Sequence, residues 1–78
     1  MFEYNICTKA DKNIFIKQCK ALEKYIPNIV KGNLLEDIDG SETQFYSING
    51  KTVTVHNSIY IDAVYVDSEI ELEHYFKW

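Results

Sequence analysis

The chain has 78 residues, 46% of them hydrophobic, and a net charge of −4. That composition suits one small domain spanning residues 1–78 and excludes a disordered chain. No apolar run approaches the ~18–20 residues of a membrane span, and residues 1–5 lack the basic-then-apolar pattern of a signal peptide, so a cytoplasmic location without a membrane partner is expected.

All eight basic residues are Lys. Arg is the usual residue for bidentate recognition of phosphates and base edges. Its absence, with the negative charge, weighs against a nucleic-acid partner. Charge is also unevenly placed. Residues 1–32 hold six Lys against Glu3, Asp11 and Glu23, whereas residues 33–78 hold Lys51 and Lys77 against nine acids. Two cysteines, Cys7 and Cys19, are too few for a disulfide scaffold and read as free thiols in a reducing compartment.

Taken in order, residues 2–7 alternate, with Phe2, Tyr4 and Ile6 on one side and Glu3 and Asn5 on the other, which predicts a half-buried strand. Residues 9–26 predict the main helix. Phe15, Cys19, Leu22 and Ile26 fall on one face, while Lys17, Lys20 and Lys24 lie on the opposite side and Ile16 is half exposed. Thr8 or Asp11 caps its start, and Pro27 ends it. Residues 34–38 predict an edge strand in which neither face is cleanly apolar. Asp39 and Gly40 mark a turn.

Two β-favouring runs flank Asn49 and Gly50, a pair that accepts the positive φ angles of a type I′ hairpin turn. A two-residue loop pairs Ile48 with Lys51, Tyr46 with Val53 and Gln44 with Val55. Tyr46, Ile48, Val53 and Val55 then face the core, and Phe45, Ser47, Thr52, Thr54 and His56 face away. Residues 59–66 predict the next strand, with Ile59, Ile61, Ala63 and Tyr65 sharing a face. Bringing that face to the core demands an odd-length loop or a bulge near residues 56–58, and leaves Tyr60, Asp62 and Val64 on the outer face with Phe45. Asp67 and Ser68 read as a turn or a helix start. Ser68 with Glu71 matches a capping box, so residues 68–77 predict a short helix, with a further strand as the alternative. The expected fold is α+β: an antiparallel sheet built on the 43–66 meander, packed against one main helix.

No chemistry-bearing motif emerges. Cys7, Cys19, His56 and His74 have no metal-ligand spacing. Asp37, Asp39 and Gly40 resemble part of a calcium loop, but aligning Gly40 with the loop glycine puts Leu35 and Tyr46 where acids are required. Three glycines in no phosphate-binding pattern exclude the nucleotide fingerprints. No enzymatic activity, metal or cofactor is expected.

Partner binding is the remaining class. Glu36, Asp37, Asp39 and Glu42 cluster around one turn, and Asp62, Glu69, Glu71 and Glu73 follow the hairpin. With Phe45 and Tyr60 they form a candidate acidic, aromatic surface for a larger protein with a basic surface, for example a nuclease complex. Trp78 either anchors the tail or joins that interface. By size and charge alone, the expected function is a small acidic inhibitor, of the kind phages and mobile elements direct against host defence nucleases. The alternatives are a toxin-immunity protein or a nucleic-acid-binding regulator that uses the lysine-rich helix. A homodimer could equally cover the aromatic face.

Overall fold

The computed structural model describes residues 1–75. Its strands are β1 (Phe2–Cys7), β2 (Ile29–Glu36), β3 (Glu42–Ile48), β4 (Lys51–Ser58) and β5 (Ala63–Ser68), with helix α1 (Lys12–Tyr25) between β1 and β2. They form one antiparallel sheet in the order β1-β5-β4-β3-β2. The α+β architecture expected from the sequence is the one observed. Because β1 and β2 occupy opposite edges, α1 must cross one face of the sheet to join them.

The central hairpin follows its turn chemistry. Asn49 and Gly50 take φ angles of 52° and 82°, and the pairs Ile48–Lys51, Tyr46–Val53 and Gln44–Val55 fall as the two-residue turn requires. Tyr46, Ile48, Val53 and Val55 are buried with Phe15, Cys19, Leu22 and Ile26 of the helix side. Each buried aliphatic side chain contributes about 1.5–3 kcal/mol. The Tyr46 hydroxyl reaches through this layer and donates to Glu23 Oε2 at 2.5 Å, tying the sheet to the end of α1. Burial and that carboxylate push the Tyr46 phenol well above its ordinary pKa, so it stays a donor.

Asp11, not Thr8, caps the helix, its Oδ1 accepting from Asn13 N at 2.8 Å and Ile14 N at 3.1 Å. Two further bonds moor this end to β4 and to the loop that follows it. Asp11 N donates to Asn57 Oδ1 at 3.0 Å, and Ala10 N to Asp62 Oδ1 at 2.8 Å. At the other end, Ile26 is extended ahead of Pro27 and Asn28 takes a φ of 64°.

Three expectations need correction. First, the edge strand is Ile29–Glu36 rather than residues 34–38. A bulge between Lys31 and Leu34 breaks its alternation, which is why neither face reads as apolar. Gln44 holds the bulge, its buried Nε2 donating to Gly32 O at 2.9 Å and to Asn33 O at 3.2 Å. Gly32 leaves room for Phe45, whose carbonyl oxygen would lie 3.2 Å from any Cβ there.

Second, the strand after the hairpin is Ala63–Ser68, not residues 59–66. Ser58 pairs with Ala63, so the connection is the four residues 59–62, an even number without a bulge. Val64 and Val66 therefore enter the core, and Ala63 and Tyr65 face outward. Placing Val64 on the outer face was wrong, and Tyr60 and Asp62 belong to a loop rather than to the sheet.

Third, no helix starts at Ser68. Asp67 and Ser68 complete β5, and the buried Ser68 Oγ exchanges hydrogen bonds with the backbone of Ile70 instead of capping a helix. Helical structure in the tail reduces to the 3-10 turn Glu73–Tyr75. Leu72 is fully buried in the helix-side core, and its N–H donates to the Tyr4 hydroxyl at 2.8 Å. The described tail thus closes the same face that α1 covers. Trp78, expected either to anchor the tail or to join the interface, lies outside the described residues, as do Phe76, Lys77 and the side chain of His74.

If Leu72 is a core residue, Leu72→Ala should lower unfolding free energy by about 2–5 kcal/mol, read by urea denaturation. A loss below about 0.5 kcal/mol, the range of surface substitutions, would show that the tail is not part of the core.

Candidate functional site

Two loops meet at one end of the sheet, the turn at residues 37–41 joining β2 to β3 and the loop at 59–62 joining β4 to β5. Each is held by side-chain hydrogen bonds. Asp37 accepts from Ile38 N at 2.8 Å through its side chain, and Asp39 Oδ1 accepts from Ser41 N at 2.9 Å. The Ser41 backbone N–H holds the Asp39 carboxyl below the usual carboxylate range. Asp62 takes a φ of 55°, a conformation a short polar side chain tolerates. Ser41 Oγ then joins the loops by accepting from Ile59 N at 2.8 Å.

With their backbones committed this way, the loops hold their large side chains in solvent. Tyr60 is 89% exposed, Ile61 55% and Ile59 48%, and Ile38 is fully exposed. Beside them lies a cleft of about 410 Å³ lined by Asp37, Asp39, Thr43, His56, Tyr60 and Tyr65. On the cleft wall the His56 ring stacks on Tyr65, with centroids 4.6 Å apart and planes inclined by 16°. Its Nδ1 lies 3.1 Å from Thr43 Oγ1, and its Nε2 lies 2.9 Å from Thr54 Oγ1 and 3.4 Å from Asp67 Oδ2. Burial pushes the His56 pKa down, and Asp67 and Glu3 only partly oppose it. The ring is therefore neutral at pH 7, giving a polar but uncharged wall.

The ten residues expected to bind a partner do not form one surface. Asp37, Asp39 and Tyr60 come together at the cleft. Asp62 is at the same end, but its carboxylate is engaged with Ala10 N. Phe45 is half-buried on the outer sheet face. Glu36 and Glu42 pair across β2 and β3 and turn to the helix side. There Glu42 is buried, 3.9 Å from Lys12 Nζ. Glu69, Glu71 and Glu73 follow β5 at the opposite end. Glu69 accepts from Thr52 N, which lowers its pKa, and Glu71 accepts from Glu73 N.

His56 and Tyr65 were missed as parts of this site. The outward direction of His56 was legible from the hairpin register, but its partner Tyr65 was hidden by the wrong strand parity. The lysines of α1 are exposed, yet Lys12 faces Glu42 and Lys24 sits 5.3 Å from the Tyr25 ring centroid. The cysteines Cys7 and Cys19 are free thiols, and burial raises the Cys19 pKa, which makes it a poor nucleophile. Among the described residues, no helix is long and apolar enough to cross a membrane.

The His56 shift has a definite sign in stability. With the folded pKa below the ordinary value of 6.5, the unfolded chain takes up its proton first as pH falls. The contribution is complete above about pH 6.5 and is lost as pH falls through the folded pKa. The thermal midpoint should therefore drop between pH 7.5 and pH 5.5, and His56→Gln should flatten that drop. An equal drop in the variant would assign it to other groups.

No family model, curated protein or solved structure matches this chain.

Proposed function

We propose that the protein is a non-enzymatic protein-binding module whose 37–41 and 59–62 loops dock on a basic surface of a larger protein. The observation that carries this reading is Tyr60, almost fully exposed beside Asp37 and Asp39 on loops braced by their own hydrogen bonds. Exposed apolar side chains rimmed by charge mark interaction sites, and Tyr is enriched among binding hot spots. Loops already fixed in place lose little freedom on binding. Carboxylates beside the aromatic ring steer a basic partner toward it.

The finer reading is inhibition. A basic surface that accepts carboxylates is commonly one that binds nucleic acid, so occupying it blocks the target. Small acidic proteins of phages and mobile elements act on host defence nucleases in this way, and the parallel with this chain rests on size and charge alone. The acids at the far end of the sheet are not part of this docking end.

The test begins with capture of the target on the immobilised protein from the cells that produce it, followed by binding kinetics on that target. Asp37→Asn with Asp39→Asn keeps the side-chain oxygens that brace the turn and removes both charges. This pair should slow association about tenfold at low salt and flatten its salt dependence. Tyr60→Ala should speed dissociation about 30-fold, the loss expected of a hot spot. Unchanged kinetics in both variants would reject this end as the docking site. A gel shift of DNA or RNA at low salt would favour the lysine-helix alternative.

A further inference from the structure

Strand β2 is an edge of the sheet, and among the described residues no strand pairs with its outer side. It is eight residues long, and Val30, Leu34 and Leu35 are 60%, 47% and 57% exposed. An edge of this length, with apolar side chains and unpaired backbone groups, is a template for another strand.

The bulge decides which strand fits. Lys31 lies opposite Tyr46, Leu34 opposite Gln44 and Glu36 opposite Glu42, so all three sit on the helix-side face. Lys31 and Glu36 are an odd number of residues apart, and in a regular strand they would face opposite ways. The extra residue at Gly32 and Asn33 brings them to the same face, with Leu34 midway between. The result is a strand that complements itself.

When such a strand pairs antiparallel with its own copy about Leu34, Lys31 meets Glu36 of the second chain and Glu36 meets its Lys31. The two Leu34 side chains meet on the axis. On the other face, Leu35 lies beside the Gly32–Asn33 bulge of the second chain, where no Cβ at position 32 obstructs it. An isologous contact of this kind closes at two subunits. Lys31 also lies 3.6 Å from Glu23 Oε2 of its own helix, which holds its ammonium on the helix-side face.

We infer that β2 is a self-association edge, joining two copies antiparallel with Leu34 on the two-fold axis and reciprocal Lys31–Glu36 pairs on either side. The occupant is a second copy of this chain because the strand's own charges complement one another in that pairing. The contact leaves the 37–41 and 59–62 loops of the two copies at opposite ends of the joined sheet, so a dimer presents two separate docking ends.

Sedimentation equilibrium of the full chain over a concentration series tests this. The wild-type mass should rise from 9.1 kDa toward twice that value. Lys31→Glu and Glu36→Lys each set like charges opposite one another twice, and each should weaken the dimer about tenfold or more. Mixing the two variants places opposite charges at both pairs again, so the mixture should dimerise as the wild type does. Circular dichroism of each variant checks that it is folded. A wild type that stays monomeric up to about 1 mM, variants that dimerise like the wild type, or a mixture no stronger than its components would each overturn the inference.

Discussion

Four residues, 59–62, join β4 to β5, and their even number decides which side chains of β5 reach the core. Asp62 makes the connection possible by taking a left-handed backbone conformation, and its carboxylate then accepts from Ala10 at the start of α1. Val64 and Val66 consequently face the helix. The opposite parity would bury Asp67 and expose both valines. Burying a carboxylate without a partner costs several kcal/mol, and each exposed valine forfeits about 1.5–3 kcal/mol. One loop thus sets the sidedness of the sheet and the position of the helix together.

That sidedness accounts for the placement of the candidate surface. The helix, Tyr46 and Leu72 all belong to one side of the sheet. Tyr65, His56, Phe45 and Thr54 belong to the other, where the histidine is neutral and hydrogen-bonded. At one end of the sheet Asp37 and Asp39 brace their own turn, Ser41 and Ser58 accept from the backbone of the 59–62 loop, and Ile38, Tyr60 and Ile61 remain exposed. The chain exposes apolar side chains there on hydrogen-bonded loops, beside the carboxylates of Asp37 and Asp39.

Much of this arrangement was legible in the residues. Asn49 and Gly50 set the hairpin register, and the hairpin residues assigned to the core are buried. The helix face and the Pro27 stop were equally readable, because each is a local property, whereas the cap was readable only as Thr8 or Asp11. Parity after the hairpin was not, because Ile59 and Ile61 alternate with Ala63 and Tyr65 as a strand would while belonging to a loop. The bulge in β2 depends on Gln44, a residue distant in sequence. In the tail, Ser68 and Glu71 carry the spacing of a capping box, but burial of Ser68 against the sheet prevails. For the site, exposed acids at a turn were recognisable, and Asp37 and Asp39 lie where the turn puts them. Burial of Glu42 and capture of Asp62 by the helix start arise from tertiary contacts that no local pattern records.

The helix and the described tail share one face of the sheet, while the face bearing His56 and Tyr65 carries no other element of the described chain. Nuclear Overhauser contacts from the Leu72 methyl groups test it most directly. Contacts to the Tyr4 ring, whose hydroxyl accepts from the Leu72 amide, are expected, and none to Phe45 or Tyr65. Contacts from Leu72 to Phe45 or Tyr65 would place the tail over the outer face and overturn this arrangement.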